Sequence, residues 1–203
     1  MNKPYAESSE QNKVVIFEAI ESYLVDGMQV LEIGSGTGQH AVHFAAMAPG
    51  IVWQTSDLEE NLAAIKLWIT DSRLPNLPEP IELDVSSAWM SKNYELVFSA
   101  NTFHIMNEDQ VEQCLSRCTA CLKPKGHLII YGPFNYHGSY TSPSNAQFDG
   151  WLKSRDAQSG IKHFEWINEI ASHSGLHLIS DIEMPANNRI LIWQYELFNQ
   201  IND

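Results

Sequence analysis

The stretch VLEIGSGTGQH, residues 30–40, carries the densest chemical signal in the chain: an apolar run reaches Glu32 and is followed by Gly34, Gly36 and Gly38 on alternate positions, with Ser35 inside the turn. Residues without Cβ reach backbone conformations closed to other residues and let main-chain atoms approach a ligand directly. Each also costs about 1 kcal/mol of backbone entropy in regular structure, so so dense a set points to a bound molecule rather than a bare turn. The spacing excludes the dinucleotide fingerprint GxGxxG, whose third glycine would stand where Gln39 is. No YxxxK pair of the short-chain dehydrogenase kind accompanies it. Two further acids close apolar runs, Asp57 after IVWQTS and Asp84 after PIEL. Each can also serve as a helix cap, Asp57 with Glu60 at the capping-box position.

Two spacings suggest metals, and both have simpler readings. Cys114, Cys118 and Cys121 in CLSRCTAC form CxxxCxxC, a pattern that can hold an iron–sulfur cluster. Yet Val111, Cys114, Leu115, Cys118 and Leu122 also make one apolar helical stripe, on which thiols pack as small hydrophobes. His40 and His43 form HxxH, too few ligands for zinc, with no HExxH or third partner at suitable spacing. No metal is expected.

The elements that must position these residues follow from periodicity. Val14, Phe17, Ile20 and Leu24 at helical spacing predict a leading amphipathic helix over 13–24. Short apolar runs at 30–33, 51–56, 80–83, 95–99 and 127–132 alternate with helical stretches, which predicts an α/β fold with a parallel sheet and helices on both faces. Residues 132–162 lack clear periodicity and read as a cap-like insertion, since loops of such length are usually functional. After one more helix, LHLISDIEM and RILIWQYELF are separated only by PANNR, enough for a hairpin but not a crossover, so the last strand is expected to be antiparallel. Ligands of such sheets bind beyond the carboxyl ends of the strands, and the hairpin turn is expected on the same rim.

With those elements in place, ExGxGxG and the strand-end acids resemble the first motifs of class I S-adenosylmethionine-dependent methyltransferases. EIGSGTGQHAVHFA, SDLEEN, LDVSSAW, NTFHI, YGPFNYHG, SPSNAQFD and MPANN extend the likeness nearly end to end, to a methyltransferase-like family long catalogued as a domain of unknown function. The resemblance implies a Rossmann-like, doubly wound, seven-stranded sheet and S-adenosyl-L-methionine as cofactor. It implies that Gly34, Ser35, Gly36 and Gly38 adjoin the methionine and ribose portions, that Glu32 lies near the amino group, and that Asp57 accepts from the ribose hydroxyls. Asp84 and Val85 would face the adenine, Asn101 the transferable methyl, and Asn12, with Lys13, would cover the cofactor from outside; a helix start is the plain alternative for that pair. For the acceptor side, His104, Tyr136, His137 and Asp149 are the catalytic candidates. Asn135, Asn145, Arg155, Asn187 and Asn188 are candidate substrate-positioning groups. Tyr131 and Asp156 are further polar rim groups, and Phe134, Tyr140 and Phe148 can cover an apolar acceptor or anchor the insertion.

Composition narrows the partners. The chain of 203 residues suits a single domain, and its formal charge of −13 disfavours nucleic acid, whose binders gain affinity by replacing counterions with Lys and Arg. The motif that follows the fourth apolar run, in SANTFHIM, is not NPPY or DPPY, which also disfavours methylation of nucleic-acid bases. No stretch approaches the roughly 20 apolar residues of a membrane span. Three cysteines do not form a disulfide framework, so the cytoplasm is the expected compartment. The expected activity is in-line methyl transfer to a small-molecule acceptor; the alternative is a non-catalytic cofactor-binding sensor or partner protein. The sequence sets no oligomeric state.

Overall fold

The computed structural model describes residues 3–89 and 92–196. In chain order the elements are α1 (Glu7–Ile20), β1 (Gln29–Ile33), α2 (Gln39–Met47), β2 (Val52–Asp57), α3 (Glu59–Ser72), β3 (Ile81–Glu82), β4 (Tyr94–Ala100), α4 (Glu108–Cys121), β5 (Leu122–Gly132), α5 (Pro143–Arg155), α6 (Phe164–His173), β6 (Leu176–Met184) and β7 (Asn188–Tyr195). The strands form a seven-stranded sheet in the order β3-β2-β1-β4-β5-β7-β6. Pairing is parallel from β3 to β5, and β7 runs antiparallel to both β5 and β6. This is the expected Rossmann-like, doubly wound arrangement. The chain winds one way from β1 and then returns to the other side at β4, so the crevice typical of such sheets opens beyond the carboxyl ends of β1 and β4.

Strand alternation sends side chains to two cores. Val30, Trp53, Leu96, Phe98, Ile129, Ile190 and Ile192 meet α1, α2 and α3, whereas Leu31, Val97, Leu128, Ile130, Leu191 and Trp193 meet α4 and α6. Phe44 packs edge-on against Trp53 at 5.2 Å and Phe98 at 5.5 Å, fixing α2 behind the glycine turn. Such aromatic pairs add about 0.5–1.5 kcal/mol beyond burial. The cysteines lie where the helical stripe predicts: Cys114, Cys118 and Cys121 are free and buried on α4. No helix among the described residues is long and apolar enough to cross a membrane.

Some local expectations change. The leading helix starts at Glu7 rather than 13, so Asn12 and Lys13 sit inside α1; its buried face is Ile16, Phe17 and Ile20, and Val14 is exposed. The first turns of α1 are polar and offered no hydrophobic period. The Asp57–Glu60 capping box does not form: Leu58 is the N-cap, and Asp57 Oδ1 accepts from Leu58 N and Asn61 Nδ2, both at 2.8 Å. The third apolar run shrinks to Ile81–Glu82. The aperiodic segment contains α5, capped by Ser142, which accepts from Asn145 N at 3.1 Å, with Pro143 at its first position. Residues 197 and 198, at the end of the closing apolar run, lie outside the described residues.

Candidate functional site

The turn from β1 to α2 is built by different demands at each glycine. A Cβ on Gly34 would stand 2.6 Å from Thr102 Oγ1, so that position must be bare for the β4 loop to close against it. Gly36 has φ 58° and nothing within 4 Å of where its Cβ would be, so its main chain faces open space. Gly38 caps α2 and does not line that space. Beneath the turn Glu32 is fully buried, its carboxyl accepting from Ser35 Oγ at 2.9 Å and Trp53 Nε1 at 3.1 Å. Burial pushes its pKa up to about 7; the Trp53 and Ser35 hydrogen bonds oppose this, and Asp57 adds to it. Glu32 therefore holds the turn from below rather than lining the space above.

That space is a cleft of about 740 Å³. Of the residues the sequence singled out for a cofactor, Gly34, Ser35, Gly36, Asp57, Asp84, Val85 and Asn101 line it together. Asp57 Oδ2 accepts from Gly36 N at 2.7 Å, tying the end of β2 to the glycine turn. Asp84 Oδ1 accepts from Ser86 N at 2.7 Å, a turn with no helix to cap. Asn101 takes a left-handed backbone, φ 58°, and its N–H donates to Tyr131 O at 2.9 Å, which fastens the β4 loop to β5. Asp57, Glu60 and Asp84 bring negative charge to the lining, which contains no Lys or Arg among the described residues. A ligand with net positive charge suits that field.

The sequence missed two parts of this wall. Pro4, Ala6, Ser8 and Ser9 border the cleft. They are held there by Trp68 Nε1 donating to Pro4 O at 2.7 Å and by Ala6 N donating to Gln39 Oε1 at 2.6 Å. Nothing in so short a polar segment marks its partner in advance. His40, read from sequence as a packing residue, also lines the cleft; burial lowers its pKa to about 4, with His43 and Lys13 adding to the effect. Its neutral ring meets Asn12 Oδ1 at 2.7 Å, so Asn12 stands behind the wall beside the Tyr131 hydroxyl rather than in the lining.

The acceptor-side candidates do not converge. Asp149 is buried and its carboxylate is taken up by Lys153 Nζ at 2.6 Å, Tyr140 Oη at 2.7 Å and Ile161 N at 2.7 Å. Burial raises its pKa, but those hydrogen bonds outweigh it and the net shift is downward. Tyr136 donates to Asp181 at 2.9 Å and stacks on Phe164; burial and the Asp181 carboxylate push its pKa well up. His137 projects into solvent beside Glu165, and Arg155 lies over the ring of exposed Trp151. Asn135 forms a bridge to His163, and its Oδ1 is buried without a hydrogen-bond partner among the described residues. Asn145 Nδ2 donates to Thr141 Oγ1 and to Asn187 O, and Asn188 Nδ2 donates to Tyr131 Oη at 3.0 Å, so these three asparagines gather at the hairpin turn on the carboxyl edge. His104 differs from the other catalytic candidates, although it does not itself line the cleft; its neighbours Ile105 and Met106 do. It is 7% exposed, meets Phe148 edge-on at 5.2 Å, and its ring makes no hydrogen bond among the described residues. Burial, with Lys162 adding to it, lowers its pKa to about 4, so at neutral pH the ring is an uncharged base.

The fold has many solved counterparts. An O-methyltransferase family protein from Burkholderia thailandensis superposes with a TM-score of 0.78 at 15% identity, over 93% of this chain and 58% of that one. A putative O-methyltransferase from Nostoc punctiforme gives 0.80 at 16% identity, over 92% and 56%. Human N-acetylserotonin methyltransferase, solved in complex with SAM, gives 0.79 at 14% identity, over 94% and 53%. The chain thus spans between half and three-fifths of the length of these proteins. The family model described as "Protein of unknown function (DUF938)" matches residues 3–195, and the chain belongs to that family.

Proposed function

We propose that this protein binds S-adenosyl-L-methionine in the cleft above the glycine turn and is a methyltransferase acting on a small molecule. The observation that carries the reading is the convergence on one cleft of the bare main chain at Gly36, the Asp57 carboxylate at the end of β2, Asp84 with Val85 after β3, and Asn101 after β4. The cleft is also of the size that small-molecule sites take, about 300–1,000 Å³. The cofactor supplies an electrophilic methyl on a sulfonium leaving group. The protein then has to bind, orient and exclude water. In this reading Asp57 accepts from the ribose hydroxyls, Asp84 accepts from the adenine amino group, and Val85 lies against the base. Glu32 keeps the turn in shape from beneath. Pro4, Ala6, Ser8 and Ser9 border the site, and in this reading the Asn145, Asn187 and Asn188 cluster meets the acceptor. His104, uncharged, without a hydrogen-bond partner for its ring among the described residues, and next to Ile105 and Met106 of the cleft lining, is the group this reading assigns to take the proton as the acceptor's nucleophile forms its bond to the methyl carbon. The buried free thiols of α4 fit a reducing compartment, in keeping with a cytoplasmic enzyme.

The test is label transfer: the protein is incubated with methyl-labelled S-adenosyl-L-methionine and fractionated cell metabolites. The expected result is a labelled small molecule formed with equimolar S-adenosylhomocysteine. His104→Ala is expected to lower the transfer rate by about 10²–10⁴-fold, the usual contribution of a general base. Binding without transfer to any fraction would favour a sensor instead.

A further inference from the structure

Four consecutive residues of the loop that carries His104 are gripped by residues 158–162. Gly160 N donates to His104 O at 2.9 Å, Ser159 Oγ to Ile105 O at 2.7 Å, Lys162 Nζ to Met106 O at 2.7 Å, and Asn107 Nδ2 to Gln158 Oε1 at 3.2 Å. The grip is itself anchored, since Ile161 N donates to Asp149 Oδ1 of α5 at 2.7 Å. Lys162 is the unusual member. It is 6% exposed, and its ammonium is met by two carbonyls, Met106 O and Gly160 O at 3.0 Å, with no carboxylate in ion-pair range among the described residues. Burying an unpaired cation opposes folding, and an apolar side chain of the same length would avoid that cost, so the charge itself calls for a use.

We propose that Lys162 is a positioning residue for His104, its ammonium fixing the Met106 carbonyl so that the 158–162 grip holds the imidazole at the carboxyl end of the sheet. The proposal rests on the reading of His104 as the base. The ring stands against Gly132 of β5, where an added Cβ would lie 3.9 Å from His104 Nδ1, and against Phe148 of α5. Neither neighbour brings a charge. Lys162 is the charged group that acts on His104, and around it in turn stand Glu108 of α4, Asp149 and Lys153 of α5, and Asp156. A fixed positive charge disfavours a second one on the imidazole, so Lys162 places the ring and adds to burial in holding it uncharged.

The experiment is an NMR titration of the His104 ring in the full chain, its signal identified by its loss in His104→Gln. The wild-type ring is expected to stay uncharged through pH 5.5. Lys162→Met, of similar bulk without the charge, should move the midpoint upward by about half a unit or more, and Lys162→Arg should restore it. A purely structural lysine would change the melting temperature without moving the midpoint. If Lys162→Met does not fold, Lys162→Gln keeps a donor for Met106 O and is expected to show the same rise. A wild-type midpoint at the ordinary histidine value, or a midpoint unmoved in the neutral variant, overturns the proposal. The titration uses neither cofactor nor acceptor, so its failure is distinct from a failure of the protein to bind S-adenosyl-L-methionine.

Discussion

Glu32 shows how one side chain couples the fold to the site. Its carboxyl is buried under the glycine turn with two donors, and its pKa is pushed up to about 7. A carboxyl whose folded pKa lies above the unfolded value binds its proton more tightly when folded. Its ionisation therefore removes stability as pH rises from about 4.5 to 7, and the loss is complete above that window. Glu32→Gln keeps an acceptor for Ser35 and Trp53 without the charge. It should raise the stability at pH 8 by up to about 3 kcal/mol and much less at pH 5, as read by thermal unfolding at the two pH values. An equal effect at both would contradict a raised pKa. Gly36 makes the complementary point: its φ of 58° is strained for a β-branched residue, and any side chain there enters the cleft. Gly36→Val should abolish cofactor binding while circular dichroism stays unchanged; retained affinity would mean that the turn holds no ligand.

At the scale of elements, what was legible from sequence depended on whether an element buries apolar atoms. The runs that became β1, β2, β4, β5, β6 and β7 have inward faces filled with Val, Ile, Leu and aromatic residues, and the α4 stripe repeats at helical spacing. α5 was not legible because its buried residues are Asn145, Asp149 and Leu152, a mostly polar face whose order comes from hydrogen bonds to distant segments. The start of α1 was hidden for the same reason. The cleft-lining residues Gly34, Gly36, Asp57 and Asp84 were legible because strand ends and glycines mark one edge of an α/β sheet. The acceptor candidates were chosen by residue type, and type does not reveal that Asp149, Tyr136 and Arg155 are already engaged by neighbours. The α4 thiols give a direct check at this scale. Burial pushes Cys121 up to about 12 and Cys118 well upward, so both should resist thiol reagents in the folded protein and react on denaturation. Rapid labelling of the native chain would contradict their packing. Loss of the α4 capping box in Asn107→Ala should lower stability by about 1 kcal/mol in urea unfolding.

At the scale of the whole molecule, the cleft joins the carboxyl edges of β1, β2 and β4 to the chain's N-terminal segment. Its acidic lining lies within a strongly acidic chain. The fold is shared with O-methyltransferases of which this chain spans between half and three-fifths of the length, and the loop that carries His104 lies at the cleft, with Ile105 and Met106 in its lining. The grip of 158–162 makes α5 and that loop one mechanical unit beside the cleft. The central claim, that the Asp57 carboxylate and the bare turn together hold S-adenosyl-L-methionine, is tested most directly by calorimetric titration of that compound into wild type and Asp57→Ala. The account predicts one saturable site in wild type and an affinity about 10–100-fold weaker in the folded variant, as expected for lost hydrogen bonds to a charged group. Absence of binding to wild type, or equal affinity in the variant, would contradict it.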